Sequence, residues 1–285
     1  MADELPVDLI ERQQWLEPVE SGLQRAVGGA FDSAGPAGRG IRNFLHGVWL
    51  GHPLHPVLTD IPVGAWTAAV ILDLADEREG ADLAVKVGLA GAVGSAVTGL
   101  TDWQATDGSA RRIGLVHGLL NTAATALFAV SLVKRNQRDR SAGRTLAAIG
   151  YAVAFASAYL GGHLVYRKQI GVNHAIGNTP PEDWTPVLDS NELPDGEPKR
   201  VDVGGTRILL VRRGSEIHAI GEVCSHLGGP LAEGELQGDV IQCPWHGSRF
   251  CVRDGSVVDG PATHPQPRFE ARLNGGKIEV RSPQS

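Results

Sequence analysis

The sequence is poor in cysteine, with only three among its 285 residues: Cys224, Cys243 and Cys251. If two of them bind a metal, no pair remains for a structural disulfide, which favours a reducing compartment. Residues 1–30 carry many charges and have no apolar core run, so we expect no cleavable signal peptide. Residues 181–285 contain sixteen acidic and eleven basic side chains. This negative balance gives no support to a nucleic-acid partner.

Charge is absent from long stretches of the N-terminal part. Residues 113–133 and 145–166 have no charged side chain, and as helices each would be roughly 30 Å long, the hydrocarbon thickness of a bilayer. Two weaker apolar runs precede them, at residues 56–74 and 87–101. We predict four transmembrane helices. A soluble helical bundle is the alternative, but these segments lack a polar face at helical period.

Side chains near the run ends fit a membrane boundary. Four aromatic residues occupy such positions: Trp49, Trp66, Trp103 and Tyr166. Small residues such as Gly91 and Gly99 suit close helix contact in lipid. Ahead of the first run, an apolar stripe at helical spacing predicts an interfacial helix: Ile41, Phe44, Leu45, Val48 and Trp49.

Several ionisable groups should share one membrane face if the four helices alternate in direction. They are His52, His55, Asp60, Asp102, His117 and His163. Ionisable groups inside membrane spans are costly and tend to mark function. We expect His117 and His163 at similar depth, and the four histidines are candidates for binding haem b or a quinone. Alternatively, they are interfacial hydrogen-bonding groups that pair with the two aspartates.

Two short motifs in the C-terminal part each combine cysteine with histidine. Cys224-Ser-His226 is followed, after sixteen residues, by Cys243-Pro-Trp-His246. In a [2Fe–2S] centre of mixed ligation, two thiolates bind one iron and two imidazoles the other, so each motif would supply one ligand of each kind. A structural zinc ion also accepts two Cys and two His. Zinc-finger spacing, however, separates the cysteines from the histidines, so the mixed order favours an iron–sulfur cluster.

The segment around these motifs resembles the Rieske-type ferredoxin family. The resemblance runs from about residue 184 to 280 and includes Cys-Ser-His-Leu-Gly, Cys-Pro-Trp-His-Gly-Ser-Arg-Phe and a later Gly-Pro-Ala at 260–262. It implies a [2Fe–2S] cofactor held by Cys224, His226, Cys243 and His246. It also implies a proline loop at Pro261 that covers the cluster. The residues expected to flank the cluster are Leu227, Gly247, Ser248 and Pro261.

Short β-branched runs predict antiparallel hairpins in this part. They are broken at Gly204-Gly205 and at residues 213–215, and two more turns are indicated by Asp254-Gly255 and Asn274-Gly275. Cys251 follows the second motif in an apolar strand, where we expect a buried free thiol.

Departures from the family's subtypes indicate the type of cluster. Members of the respiratory and photosynthetic bc type resemble a pattern with one further cysteine in each loop, which form a disulfide. Here Gly229 and Trp245 stand at those positions, which places the segment nearer the bacterial ferredoxin type. Phe250 stands where high-potential members have a tyrosine hydroxyl. Fewer hydrogen-bond donors to the cluster predict a potential in the lower part of the Rieske range.

The membrane part also resembles a known family. Over roughly residues 45–175 it is similar to a four-span bacterial membrane domain of unknown function, on Gly-His-Pro-Leu-His-Pro at 51–56, Thr-Asp-Trp at 101–103 and Gly-Gly-His-Leu-Val-Tyr at 161–166. This resemblance implies no activity.

We predict a multidomain α + β chain: an amphipathic N-terminal segment over 1–50, a four-helix transmembrane bundle over 51–168, a linker over 169–183 and an all-β Rieske domain over 184–285.

These features predict a multi-pass protein of the cell membrane that transfers single electrons. Its partners would be membrane lipid and a redox protein such as a reductase, an oxygenase or a respiratory component. Exchange with a quinone or haem at the membrane domain is a further expectation. The alternatives are a ferredoxin component of an oxygenase or oxidoreductase system, or a redox sensor. A self-contained oxygenase would need a further two-His-one-carboxylate iron site, so we expect an oxidoreductase component without its own substrate-converting site.

The side of the membrane is predicted from weaker signals. Basic residues are nearly balanced between the two faces, so the positive-inside rule does not decide. The missing twin-arginine signal and loop disulfide predict a cytoplasmic Rieske domain.

Overall fold

The computed structural model describes residues 6–177 and 181–283. The chain divides into two compact units, Met1–Leu45 with Pro53–Ile170, and His46–His52 with Gly171–Ser285. The first unit is built from helices and the second mainly from β-strands, which confirms the predicted α + β organisation. Residues 178–180 of the predicted linker lie outside the described residues.

Four long helices form most of the first unit. They are α4 (Leu54–Leu74), α5 (Arg78–Trp103), α6 (Gly108–Asn136) and α7 (Arg140–Tyr166). Three helices precede them: α1 (Pro6–Glu11), α2 (Glu17–Ser33) and α3 (Gly35–His46). Short 3₁₀ turns occur at Gln14–Leu16 and Val48–Leu50. Gly47 has a φ of +83°, so α3 ends there and the apolar stripe does not continue to Trp49 as one helix.

The four predicted spans are confirmed as helices long and apolar enough to cross a membrane. Each extends beyond its predicted run. The added ends of α5, α6 and α7 carry charged residues that the search for uncharged runs excludes, whereas α4 gains only Leu54 and His55. Large apolar side chains on their outer surfaces, such as Leu74, Val93 and Phe155, are exposed. An exposed apolar surface of this extent suits contact with lipid better than contact with water.

The long helices are two copies of one helical hairpin, because residues of α4–α5 recur in α6–α7 at an offset of 62 positions. Equivalent residues include His55 and His117, Gly88 and Gly150, Ser95 and Ser157, and Gly99 and Gly161. The same offset relates Trp66 to Phe128, whose rings stack with centroids 4.2 Å apart. Equivalent residues that touch each other must lie close to a symmetry axis. The two hairpins are therefore related by a pseudo-twofold axis.

Two of the four predicted interfacial aromatics are in the core, so that prediction is wrong for them. Trp66 is 4% exposed and stacks on Phe128. Trp103 is 8% exposed, and its indole N–H donates to the carbonyl of Arg111 at 2.7 Å. Tyr166 and Trp49, in contrast, are exposed.

A buried ion pair closes one end of the repeat. Asp73 and Arg135 are equivalent positions in the two hairpins, and the Arg135 guanidinium donates to Asp73 Oδ1 at 2.9 Å. It also donates to Asp82 Oδ1 at 2.9 Å. These charges are tolerated because each has a partner of opposite sign at hydrogen-bond distance.

The second unit contains two antiparallel sheets. The larger has the strand order β1-β10-β9-β4-β3-β2 and the smaller the order β5-β6-β7-β8. The larger sheet consists of β1 (Thr185–Asp189), β2 (Lys199–Val203), β3 (Thr206–Arg213), β4 (Glu216–Gly221), β9 (Arg268–Asn274) and β10 (Lys277–Arg281). The smaller consists of β5 (Glu235–Gln237), β6 (Val240–Gln242), β7 (Arg249–Cys251) and β8 (Val257–Asp259). The predicted all-β domain is confirmed.

The predicted turns connect paired strands. Gly204-Gly205 joins β2 to β3, and Asn274-Gly275 joins β9 to β10. Gly205 has a φ of +85°, a left-handed conformation that favours glycine. Cys251 lies at the end of β7 and is only partly buried, so the expectation of a fully buried thiol is corrected.

Candidate metal centre

The first predicted ligand loop follows β4 and turns tightly at Cys224. The Cys224 amide donates to the carbonyl of Gly229 at 2.8 Å, and the Gly228 amide donates to the carbonyl of Cys224 at 2.8 Å. Gly228 has a φ of +80°, which a side chain would strain. His226 therefore leaves the same turn as Cys224, as the spacing predicts.

The second loop joins β6 to β7 and repeats this hydrogen bonding. The Cys243 amide donates to the carbonyl of Ser248 at 2.8 Å, and the Gly247 amide donates to the carbonyl of Cys243 at 3.1 Å. Gly247 has a φ of +76°. The loops differ in the position of the imidazole, since His246 immediately precedes its left-handed glycine. The residues that sequence analysis placed in two loops thus occupy two equivalent turns.

Backbone amides surround both sulfur atoms. The amides of His226 and Leu227 donate to the Cys224 sulfur, and those of Trp245 and His246 donate to the Cys243 sulfur. Amide donors stabilise negative charge on a thiolate. The left-handed glycines of the two turns allow this arrangement, because they leave the amides free to point at the sulfurs.

The two ligand thiols lie together in the interior. Cys224 is 1% exposed and Cys243 is 2% exposed. The hydrogen bond between them raises the pKa of Cys224 and lowers the pKa of Cys243 to about 7. The pair therefore holds a substantial share of thiolate near neutral pH, the form that binds a metal. Binding of iron would release the remaining proton.

The two motif histidines form a second pair. The rings of His226 and His246 have centroids 5.0 Å apart and planes inclined by 79°. Nδ1 of His226 is buried and has no hydrogen-bond partner in the described part of the chain. Burial, with smaller contributions from the neighbouring His246, His46 and His174, lowers the pKa of His226 to about 3. A neutral imidazole with an unpaired buried nitrogen is suited to bind a metal.

These residues fit a two-iron cluster. Within residues 6–177 and 181–283, no three His, Cys, Asp or Glu side chains converge on a position for a single ion. A [2Fe–2S] cluster of mixed ligation takes its ligands in two pairs, one pair on each iron. The two loops offer one thiol pair and one imidazole pair, which is the required donor set.

The predicted flanking residues connect the second loop to the segment after β8. Ser248 is fully buried, and its hydroxyl oxygen accepts a hydrogen bond from the amide of Ala262 at 3.0 Å. Pro261 precedes this alanine. A Cβ on the neighbouring Gly260 would lie 3.1 Å from Cδ2 of His46. The segment His46–His52 thus packs on the proline loop, a contact that sequence analysis missed because nothing in the local pattern marks it.

The histidines predicted in the membrane part do not form one group. His55 and His117 face each other, with ring centroids 6.5 Å apart and planes inclined by 88°. Nε2 of His163 is 3.7 Å from the carboxylate of Glu11. His52 belongs to the short segment that clusters with the second unit. The structure therefore brings His117 next to His55, whereas sequence analysis expected only that His117 and His163 lie at similar depth.

Comparison with known proteins agrees with the geometry of the two loops. The sequence model for the Rieske [2Fe-2S] domain matches residues 183–270. The ferredoxin component of biphenyl 2,3-dioxygenase from Rhodococcus jostii (strain RHA1) is 36% identical over 96 residues, which are 34% of this chain and 90% of that protein. The chain belongs to the Rieske [2Fe–2S] family. A Rieske domain implies a [2Fe–2S] cluster as its cofactor, and ferredoxin components are among its relatives.

A second family model covers the helical part of the chain, and further relatives were found. A predicted membrane protein family (DUF2231) matches residues 51–174. Apoptosis-inducing factor 3 from Mus musculus is 33% identical over 96 residues, but this chain spans only 16% of its length. The solved ferredoxin of carbazole 1,9a-dioxygenase from Nocardioides aromaticivorans IC177 has a TM-score of 0.34 and 31% identity, and the match covers 37% of this chain and 99% of that one. The chain is thus a Rieske protein with a four-helix part of a membrane family.

Proposed function

We propose that this Rieske protein is a membrane-tethered carrier of single electrons, with its cluster bound by Cys224, Cys243, His226 and His246. The observation that carries the proposal is the pair of equivalent turns, which present one buried thiol pair and one imidazole pair. When bound there, the cluster supplies a one-electron couple at a fixed position in the chain.

The residues of the two loops have separate roles in this proposal. The thiolates of Cys224 and Cys243 bind one iron, and amide donors stabilise their charge. His226 would bind the other iron through its unpaired Nδ1, and His246 would supply the second imidazole. Both histidines are partly exposed, whereas both cysteines are buried. Electrons therefore enter and leave on the histidine side, and the imidazole proton couples to the redox state.

The redox partner is proposed to be a reductase or an oxygenase of the kind that Rieske ferredoxins serve. Support comes from the relative that is named a ferredoxin component of a dioxygenase. Next to the histidine side, Trp245 is 55% exposed and its ring centroid is 6.5 Å from that of His246. An exposed aromatic ring beside the histidines through which electrons enter and leave is suited to bind a partner protein.

The long helices are proposed to anchor this carrier in the cell membrane, with the Rieske domain in the cytoplasm. All three cysteines are free thiols, which suits a reducing compartment. Lys277→Cys, at the exposed start of β10, should be labelled by a membrane-impermeant maleimide in inverted vesicles but not in spheroplasts. Arg138→Cys, between the third and fourth long helices, should show the opposite pattern. Labelling of Lys277→Cys in spheroplasts would contradict the orientation.

Reduction of the purified protein tests the proposed function. The full chain in detergent is expected to contain two irons per molecule and to be reduced by a ferredoxin reductase with NADH, as followed by its visible and EPR spectra. Cys243→Ser should lose the cluster, whereas Cys251→Ser, the matched control, should keep it. A chain that purifies with zinc in place of iron, or a cluster that no reductase reduces, would overturn the proposal.

A further inference from the structure

Two histidines of the helical unit occupy equivalent places in the repeated hairpins. Nδ1 of His55 lies 2.9 Å from the carbonyl oxygen of Ser95, and Nδ1 of His117 lies 2.8 Å from the carbonyl oxygen of Ser157. The offset of 62 positions relates both members of the two pairs. The same contact therefore occurs twice, although the hairpins differ at most of their positions.

Each imidazole lies against a glycine of the adjacent helix. A Cβ on Gly99 would be 2.7 Å from Cε1 of His55, and a Cβ on Gly161 would be 3.1 Å from Cε1 of His117. The first distance is shorter than Cβ contacts permit, so even alanine would displace the ring. These two equivalent glycines hold space for the two rings.

The carbonyl contacts fix the tautomer of both rings. A carbonyl oxygen can only accept, so Nδ1 of each ring carries the proton and donates it. Nε2 then has the lone pair. The side-chain amide nitrogen of Asn121 lies 3.1 Å from Nε2 of His117, which agrees with this assignment. A histidine that donates Nδ1–H to a backbone carbonyl and keeps Nε2 as an acceptor has the usual arrangement of a metal ligand.

The distance between the rings also fits a shared metal. A metal–imidazole bond is about 2.0–2.1 Å long. With a ring nitrogen about 1.1 Å from the ring centre, two imidazoles on opposite sides of one metal would have centroids about 6.3 Å apart. The observed separation of His55 and His117 is 6.5 Å. An edge-to-face contact of two rings has a similar separation, so the assignment rests on the equivalent hydrogen bonds and glycines as well as on the distance.

The geometry points to a second metal centre, in which Nε2 of His55 and Nε2 of His117 bind one transition metal on the pseudo-twofold axis. The shared chemistry is bis-imidazole ligation, which haem iron and a single ion such as Cu²⁺ both accept. This site lies in the helical unit and is independent of the Rieske cluster. The Ser95 and Ser157 carbonyls position the ligands, and Gly99 and Gly161 make room for them.

Two arms of one experiment distinguish haem from a single ion. The cluster-loaded protein is purified in detergent from cells supplied with a haem precursor, and its Soret band and pyridine haemochrome are measured. One haem per chain would support the site with haem as its ligand. Protein without haem is titrated with CuCl₂, and a one-to-one EPR signal split by two nitrogens would support the site with an ion.

Substitutions assign the ligands. His55→Leu and His117→Leu should each lose the haem, or weaken Cu²⁺ binding by more than about tenfold, because losing merely a partner of a ligand costs about 10–100-fold. The EPR signal of the reduced cluster should stay unchanged in both variants, which separates this result from any failure of the electron carrier. His163→Leu, the matched control in α7, should bind as the wild type does.

A variant that keeps both imidazoles distinguishes loss of a ligand from misfolding of the helical unit. Asn121→Leu removes the amide beside Nε2 of His117, so binding should be equal to the wild type or tighter. Binding more than about tenfold weaker in this variant would overturn the assignment. The proposal is also overturned if the wild type takes up neither haem nor Cu²⁺ with two-nitrogen coupling, or if His163→Leu loses the metal as His55→Leu does.

Discussion

Gly229 of the first ligand loop lies directly against Cys243 of the second. A Cβ at position 229 would be 2.8 Å from Sγ of Cys243 and 3.1 Å from the ring of Trp245. Glycine is therefore required at this position by close packing between the loops. Sequence analysis aligns these two positions with the loop cysteines of disulfide-linked Rieske proteins; here Gly229 packs against Trp245 instead.

Gly229→Ala is expected to separate the two loops and reduce cluster content. Forcing a methyl group into a packed interior costs about 1–3 kcal/mol, and the displaced atom here is a ligand sulfur. Iron per chain and the visible absorbance of the cluster measure the loss. Gly64→Ala is the control, because a Cβ on Gly64 would meet nothing within 4 Å. Full iron content in Gly229→Ala would contradict this prediction, because it would show that the loops can accommodate a methyl group and still hold the cluster.

The potential of the cluster should lie in the lower half of the Rieske range, below about +75 mV on a scale of roughly −150 to +300 mV. Phe250 is fully buried and offers no hydroxyl donor. Phe250→Tyr should raise the potential, because a donor to the cluster stabilises its reduced, more negative state. An EPR-monitored redox titration measures it, with Phe250→Leu as the control that adds no donor. A strongly positive wild-type potential would refute this prediction.

Arg135→Leu should destabilise the helical unit by about 3–5 kcal/mol, because it leaves a buried carboxylate of Asp73 without its main partner. The Arg135 side chain is 0% exposed and that of Asp73 is 8% exposed. The double variant Asp73→Leu/Arg135→Leu should recover most of the loss, since an apolar pair can replace a buried ion pair. Thermal unfolding in detergent measures both. Equal stability of the single and double variants would contradict this reading.

Stability of the Rieske domain should depend on pH through Glu279. Arg272 on the adjacent strand donates to its carboxylate at 2.7 Å, and this hydrogen bond lowers the pKa of Glu279 below its usual value. A lowered pKa gives stability that is present above the unfolded-state pKa and is lost as the pH falls through the folded-state pKa. Glu279→Gln should therefore lower the melting temperature at pH 7, and the difference should vanish in acid.

The control for this pH dependence is Glu233→Gln, which removes the charge of an exposed carboxylate. Its melting temperature should follow that of the wild type across the titration. A constant difference between Glu279→Gln and the wild type at every pH would mean that packing, and not charge, explains the effect.

The cluster loops and the four long helices could be predicted from the sequence, because both follow from local constraints. Cys-x-His and Cys-x-x-His fix how ligands leave a tight turn, and an uncharged run fixes a helix length. The left-handed glycines at 228 and 247 belong to the same local geometry.

The contacts between distant segments could not be predicted in this way. The repeat is hidden because equivalent positions hold different chemistry: Asp73 corresponds to Arg135, and Trp66 to Phe128. A systematic search at an offset of 62 positions would have found it from the recurring His, Ser and Gly. The assignment of Trp66 to the interface failed because an aromatic near a run end can equally stack in a bundle core. The placement of His46 on the proline loop likewise depends on tertiary packing that no local pattern encodes.

Pulsed EPR of the reduced full-length protein in detergent tests most directly whether the two loops bind a cluster of mixed ligation. The account predicts strong coupling of the electron spin to two histidine nitrogens, with two irons per chain. The coupled nitrogens should be those of His226 and His246, so labelling histidine alone with ¹⁵N should change both couplings. A reduced cluster without nitrogen coupling, or a chain that holds a single zinc ion at these loops, would contradict it.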